Sequence, residues 1–385
     1  MSTPNTPSSV PTQRPFRLEN RSLLVAAGSH GAALAHLTLL AAGGLTQLVA
    51  STHATIARRP SLQGDSATAA EAPPAYSLVA RSFLWLAQLT RQLGQHIPVQ
   101  QHGLLRSAAN GVLGDTLAAH ANPLHEGMSL RNEFGQEISA AEWQRDARRG
   151  LVLFVHGLCL SEREWQNNEH AGFVRELRDF GYGVAWLRYN SGRAIHESGA
   201  DLSLLLEDAQ LGSKALTLIG HSMGGLVVRA ASHHAEHYEM KWQLRQAAYL
   251  GTPHQGAPLE RLGEGANRLL GLTPYTRPLM QIGGLRSNGI QDLRHGRISA
   301  GSERPVQLAR GARHLLIAGH LGQERTFDLL GDGLVPVRSA LGQHLEPEKA
   351  LQGEDVSRRE IPALGHMAML KDKRVYDALL EWLKP

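Results

Sequence analysis

The sequence predicts a mostly parallel α/β sheet flanked by helices, preceded by a helical extension. From Met128 onward, short apolar segments alternate with amphipathic ones, which is typical of parallel strands joined by helices. Before that residue, apolar residues recur every three or four positions, which is the period of a helix. The chain has 385 residues, of which 42% are apolar, and is therefore long enough for more than one folding unit.

The N-terminal part contains no recognisable catalytic motif. Residues 1–20 are rich in serine, threonine and proline, and we expect them to be disordered. Residues 21–125 are predicted to form a helical accessory region with a flexible connector at Arg59–Pro74. The helices expected in it are Ala32–Ala57, Tyr76–His96 and Leu104–His120.

The same region bears on localisation. It lacks the basic, apolar and small-residue order of a signal peptide. Its longest apolar run, Gly31–Ala50, is interrupted by polar residues and a glycine pair, which suits a buried or interfacial helix better than a spanning one. We therefore expect a protein that is cytoplasmic or peripherally associated with a membrane.

Residues 126–385 are predicted to form the α/β domain, beginning with a short hairpin near Met128–Arg131. The predicted strands are Leu151–His156, Gly183–Tyr189, Lys214–Gly220, Gln246–Gly251, His314–Ala318 and Val356–Ile361. The predicted helices are Glu164–Asp179, Leu202–Leu211, Met223–His234 and Lys371–Lys384. An insertion at about residues 252–312 interrupts this alternation. Its length and its amphipathic segment Leu259–Leu270 indicate a helical cap over a cleft.

The most informative motif is Gly220-His221-Ser222-Met223-Gly224, which lies between a predicted strand and a predicted helix. A turn this tight strains the serine backbone and brings strand and helix close together, so small residues are needed two positions to either side. The hydroxyl of Ser222 then projects above the sheet, beside a helix N-terminus that favours negative charge. These properties predict a serine nucleophile.

A serine nucleophile needs a base to take its proton and a carboxylate to orient that base. Asp332 lies between two glycines in the loop after the strand His314–Ala318. His366 lies just after the strand Val356–Ile361 and before the last helix. The order serine, aspartate, histidine, with each residue beyond a strand end, is that of a nucleophile-elbow triad.

Other residues are alternatives for these roles. Asp328 is the rival acid, but it lacks the flanking glycines that would let a loop carry its carboxylate inward. His254 follows a strand end and is an alternative base, although a loop-shaping role is favoured. His320 precedes Asp332 and has the wrong order, and His344 is a further histidine of the same half.

The oxyanion of an acyl-transfer intermediate needs two N–H donors. One is the backbone N–H of Met223, the residue that follows the nucleophile. We assign the second to the N–H of Leu158, because Gly157 lets the loop after the strand Leu151–His156 turn toward the nucleophile. The neighbouring Cys159 is the single cysteine of the chain and is expected to be a small buried hydrophobe.

Together these motifs resemble the lipase and esterase branch of the α/β-hydrolase superfamily. The motifs are Val155-His156-Gly157-Leu158, Gly220-His221-Ser222-Met223-Gly224-Gly225, Gly251-Thr252-Pro253-His254 and Gly331-Asp332-Gly333-Leu334-Val335-Pro336. Within that branch, the sequence is similar to bacterial triacylglycerol lipases and to glycosylphosphatidylinositol inositol-deacylase-like hydrolases over about residues 128–385.

The resemblance implies an α/β-hydrolase fold that hydrolyses carboxylic esters through an acyl-serine intermediate. It carries over onto Ser222, Asp332 and His366, and onto the N–H groups of Met223 and Leu158 as oxyanion donors. Lipases of that branch often hold calcium through acidic residues near the histidine. Here Met367-Ala368-Met369-Leu370 follow the histidine, so we expect no metal, and we expect no cofactor.

The sequence therefore predicts a serine hydrolase for an ester with an apolar acyl group, and the acyl preference rests on the amphipathic cap. An acyltransferase or thioesterase would use the same triad. A non-catalytic hydrolase-fold scaffold that docks to a membrane or partner is the alternative of another class. The near balance of 39 basic and 35 acidic residues indicates no nucleic-acid partner. The expected partners are a small-molecule or lipid-like ester and, through the N-terminal helical region, a membrane surface.

Overall fold

A computed structural model describes residues 103–257, 287–300, 306–322 and 331–384. The predicted helices before residue 103, the amphipathic segment Leu259–Leu270 and the alternative acid Asp328 lie outside these residues. Within these ranges, no helix combines the length and the apolar character needed to cross a membrane.

The helices and strands alternate along the described chain and are numbered in chain order. The helices are α1 (Gly103–Ala119), α2 (Ala140–Gln144), α3 (Asn168–Asp179), α4 (Ile195–Asp208), α5 (Met223–His237), α6 (Asn288–His295), α7 (Val337–Ala340) and α8 (Lys373–Leu383). The strands are β1 (Ser129–Arg131), β2 (Gly150–Val155), β3 (Tyr182–Arg188), β4 (Leu216–His221), β5 (Leu244–Leu250), β6 (Arg313–His320) and β7 (Asp355–Pro362). Short 3-10 helices occur at Glu162–Trp165, Pro347–Lys349 and Met367–Leu370.

The seven strands form one sheet in the order β1-β3-β2-β4-β5-β6-β7. β1 is antiparallel to β3, and all other neighbouring pairs are parallel. The predicted fold class, a mostly parallel sheet flanked by helices, is confirmed, and each of the six predicted strands is present. Because the strands are parallel, the loops after β2, β4, β5, β6 and β7 all leave from the same edge of the sheet.

Burial explains why the central strands are mainly apolar. Every residue of β2 and of β4 is buried, as expected for strands covered on both faces. One large apolar cluster contains Leu151, Leu153 and the inner face of α5. A second contains Val152, Phe154 and the inner faces of α3 and α8. The sheet is therefore the middle layer between two cores, which holds its carboxyl edge in place.

Some elements differ from their sequence-based bounds. The helix predicted over Glu164–Asp179 is divided into the 3-10 helix Glu162–Trp165 and α3, because the Asn167 side chain accepts a hydrogen bond from the N–H of His170 and starts a new helix. The predicted hairpin is reduced to β1 and a single bridge between Arg131 and Glu137. The helix predicted at Leu104–His120 is present as α1.

Candidate active site

Ser222 occupies the sharp turn between β4 and α5. Its backbone has φ 55° and ψ −125°, a conformation that L-residues seldom adopt, and its N–H donates to the carbonyl of Leu250 at 2.8 Å. A Cβ added to Gly220 would come within 2.5 Å of the Cα of Gly225. A Cβ on Gly224 would come within 2.2 Å of the carbonyl oxygen of Val155. Both glycines of the motif are therefore required by close backbone approach, as the sequence predicts.

His366 and Asp332 form a buried hydrogen-bonded pair. The Nδ1 of His366 lies 2.7 Å from the Oδ2 of Asp332, and 5% or less of either residue is exposed. The other carboxylate oxygen accepts the N–H groups of Leu334 (3.0 Å) and Val335 (2.8 Å). The His366 N–H donates to the Asp332 carbonyl at 3.0 Å. A carboxylate held in this way fixes the imidazole with its Nε2 available as a base.

Two sets of contacts bring this pair to the serine. Gly251 directly follows Leu250, whose carbonyl accepts the N–H of Ser222. A Cβ added to Gly251 would lie 3.2 Å from the Nδ1 of His366 and 3.0 Å from the Oδ2 of Asp332. His221, the residue before the serine, has its Nε2 3.1 Å from the carbonyl oxygen of His366. These contacts place the Asp332–His366 pair beside His221 and Gly251, the residues next to Ser222 and to the carbonyl that holds it.

His221 is a residue of the site that sequence reasoning missed. Its ring lies 4.8 Å from that of His366, centroid to centroid. Complete burial, and then the neighbouring His366, lower its pKa well below the usual value, so the ring is neutral. A neutral ring with its proton on Nε2 donates to the His366 carbonyl and fastens the base-carrying loop to the elbow. The sequence signal that could have identified His221 is its position next to Ser222 in the Gly220–Gly224 motif.

The loop after β2 lies directly against the nucleophile. A Cβ on Gly157 would lie 3.0 Å from the Cβ of Ser222, so a side chain there would push against the nucleophile. Leu158 follows it and is half-buried, whereas Met223 is fully buried at the start of α5. Among the described residues, the N–H groups of Leu158 and Met223 have no hydrogen-bond acceptor. Both amides are therefore available to a negatively charged oxygen near Ser222.

The alternative residues are placed elsewhere. The Nδ1 of His254 lies 3.3 Å from an Nη atom of Arg229, and burial lowers the pKa of His254 well below its usual value. His320 ends β6, where its carbonyl accepts the N–H of Leu364. His344 lies in the loop after α7, where its Nδ1 accepts the N–H of Glu346 at 3.0 Å. None of the three hydrogen-bonds to Asp332 within the described chain.

Apolar side chains border the site. Leu321 is 53% exposed, and its methyl groups lie 3.4 to 3.5 Å from Cβ atoms built on Gly333 and Gly365, the neighbours of Asp332 and His366. Leu160 lies 3.4 Å from a Cβ built on Gly157. In the described part of the chain, no group of three or more His, Cys, Asp or Glu side chains is arranged to hold a metal ion.

Comparison with known proteins identifies a family. A model of the alpha/beta hydrolase family matches residues 152–378. No curated protein matches the sequence.

Solved structures are similar at low identity. The mature form of the lipase BlEst2 from Bacillus licheniformis is 18% identical, with a TM-score of 0.44 over 67% of this chain and 98% of that chain. The NocB thioesterase domain from the nocardicin cluster is 15% identical, with a TM-score of 0.40 over 66% and 97%. The carboxylesterase CesB from Bacillus subtilis is 12% identical, with a TM-score of 0.38 over 61% and 84%. Similarity of this degree does not identify a substrate.

Proposed function

The chain belongs to the alpha/beta hydrolase family, and we propose that it is a serine hydrolase that cleaves carboxylic esters with an apolar acyl group. The observation that carries the proposal is the hydrogen-bonded Asp332–His366 pair at the edge of the sheet where Ser222 lies in a strained elbow. Ser222 supplies a hydroxyl as the nucleophile, His366 an imidazole as its base, and Asp332 a buried carboxylate that orients the base.

The proposed reaction has two halves. The Ser222 Oγ attacks the ester carbonyl while the His366 Nε2 takes its proton, and Asp332 stabilises the imidazolium that forms. The N–H groups of Leu158 and Met223 donate to the oxyanion. The imidazolium then gives its proton to the leaving alcohol, which leaves the acyl group on Ser222. In the second half His366 activates a water molecule, which hydrolyses the acyl-serine and restores the enzyme.

Support for an apolar acyl group comes from Leu321. This exposed leucine lies against Gly333 and Gly365, the neighbours of Asp332 and His366, and an exposed leucine beside a catalytic site offers apolar surface to a substrate chain. Because each buried CH₂ contributes about 0.8 kcal/mol, an acyl chain longer by two carbons is expected to react up to about fifteenfold faster in kcat/KM until the surface is covered.

Hydrolysis of a series of p-nitrophenyl esters from acetate to palmitate tests the proposal. We expect measurable turnover, with kcat/KM rising with acyl length over the first members. Ser222→Ala is expected to abolish it while leaving the circular dichroism spectrum unchanged. Full activity in Ser222→Ala would contradict the assignment of the nucleophile. Thioesters of the same acyl groups, and alcohols added as acceptors, distinguish an esterase from a thioesterase or an acyltransferase.

A further inference from the structure

The oxyanion loop, residues 156–159, has no regular secondary structure, yet it is fastened by Tyr189, the residue directly after β3. The Tyr189 hydroxyl donates to the carbonyl of His156 at 2.9 Å. The Tyr189 N–H donates to the Nε2 of His156 at 3.4 Å, so the proton of the neutral ring lies on Nδ1, which donates to the carbonyl of Gly157 at 2.9 Å. Burial lowers the pKa of His156 to about 4, which keeps the ring neutral.

The two rings also stack on each other. The centroids of His156 and Tyr189 are 4.4 Å apart, and the ring planes are inclined by 25°. Both side chains are almost completely buried. The carbonyls of His156 and Gly157, which precede the Leu158 N–H in the chain, are thus both held by side chains rather than by strand pairing.

The residue after Leu158 is anchored as well. Cys159 has φ 60°, an unusual conformation for a residue with a side chain, and its N–H donates to the Oγ of Ser191 at 3.0 Å. The peptide group after Leu158 is therefore fixed by Ser191, whereas the one before it is held by the His156 ring, which Tyr189 fixes in turn. A donor fixed before the reaction needs no rearrangement when the negative charge forms.

Helix α1 supports this segment from outside the sheet. The Asn190 side-chain amide donates to the carbonyl of Gly114 at 2.8 Å. A Cβ on Gly114 would lie 1.9 Å from the Oδ1 of Asn190, and a Cβ on Gly111 would lie 2.2 Å from the Sγ and 2.9 Å from the Cα of Cys159. The helix backbone therefore lies in direct contact with the oxyanion loop and with the loop that fastens it.

We propose that Tyr189, Ser191 and helix α1 are positioning elements that hold the Leu158 N–H toward the oxyanion at Ser222. The proposal rests on the proposed function, and it gives a task to the last helix of the N-terminal helical region. That helix is then part of the catalytic unit. None of these residues touches the substrate, and each acts through the geometry of Leu158.

Tyr189→Phe tests the hydroxyl alone, because phenylalanine keeps the stacked ring. Loss of one hydrogen bond that holds a donor is expected to lower kcat by about tenfold. KM is expected to stay within about twofold, because the donor acts mainly in the transition state. The affinity for an alkylboronic acid, which forms a tetrahedral adduct with a catalytic serine, should fall by the same factor as kcat/KM. Tyr182→Phe is the matched control, since Tyr182 starts the same strand and packs on Arg149, 5.5 Å from its ring.

Gly111→Ala tests the helix, with Gly172→Ala as its control. Both glycines are helical, but a Cβ on Gly172 meets nothing within 4 Å. We expect Gly111→Ala to lower kcat and boronate affinity together, and Gly172→Ala to leave both unchanged. If Gly111→Ala does not fold, Tyr189→Phe decides alone.

The outcomes separate the two proposals. A wild-type protein without ester hydrolysis would contradict the proposed function itself. An active wild type, together with a Tyr189→Phe variant of unchanged kcat and boronate affinity, would overturn the positioning role only. A Tyr189→Phe variant that loses thermal stability while keeping kcat would overturn it as well, because the hydroxyl would then serve the fold alone.

Discussion

Replacing Gly251 by alanine perturbs the Asp332–His366 pair without altering either residue. Gly251 has φ +57°, and an added Cβ would lie 3.0 Å from the Oδ2 of Asp332 and 3.2 Å from the Nδ1 of His366. Contacts this short require the pair to move by a few tenths of an ångström. Since a displacement of about 1 Å at a catalytic group can cost about a hundredfold in rate, a shift of this size predicts roughly a tenfold loss of kcat.

The backbone conformation adds a cost that must be separated from this contact. A residue with a side chain at positive φ costs about 1–2 kcal/mol of stability. Gly212 has φ +59°, and a Cβ added there meets nothing within 4 Å, so Gly212→Ala carries the same backbone cost without the contact. Chemical denaturation should show similar stability losses in both variants, and ester hydrolysis should show a loss of kcat in Gly251→Ala alone. Equal kcat values in the two variants would show that the added Cβ does not displace the Asp332–His366 pair.

Two further predictions concern single side chains. Asp332→Asn should lower kcat by about 10⁴-fold with the fold intact. The amide that replaces the carboxylate would donate to the Nδ1 of His366, which leaves the ring proton on Nε2, the atom that must act as the base. Single-turnover kinetics would measure the loss, and a loss below tenfold would contradict the orienting role of Asp332. His170 is buried with its Nε2 accepting from Trp186, and burial lowers its pKa to about 3. As pH falls, His170 is therefore protonated in the unfolded chain before it is protonated in the folded one. The free energy of unfolding of the wild type should fall below about pH 6.5, with up to about 1.4 kcal/mol per pH unit from this group until pH approaches 3. In His170→Gln, the free energy of unfolding from urea titrations should fall less between pH 6 and pH 4 than it does in the wild type. An equal fall in the two proteins would contradict the prediction.

Local sequence patterns were sufficient to predict the elbow and the strands that carry the candidate site. The glycines around Ser222 are set by backbone contacts within a few residues of the turn, so the motif predicts the elbow by itself. Ser222, Asp332 and His366 are expected at the same edge because each follows a strand of a parallel sheet. The apolar runs of β2 and β4 are predictable because both faces of these strands are buried.

The rest depends on tertiary contacts that no local pattern encodes. The contact between His221 and the carbonyl of His366 joins residues 145 positions apart. The hydrogen bond from Cys159 to Ser191 and the fit of Gly111 against Cys159 likewise require the folded arrangement. The division of the helix predicted over Glu164–Asp179 depends on one side chain, Asn167, which competes with the helix for its own backbone.

Covalent labelling with an alkyl fluorophosphonate, followed by mass spectrometry of the intact and digested protein, tests whether Ser222 is an activated nucleophile. The reagent modifies a serine only when a base activates it and donors stabilise the adduct. We expect one adduct per chain, located at Ser222, that is absent in Ser222→Ala and strongly slowed in His366→Ala. An unlabelled wild-type protein, or an adduct at another residue that persists in Ser222→Ala, would contradict the claim that Ser222 is the nucleophile.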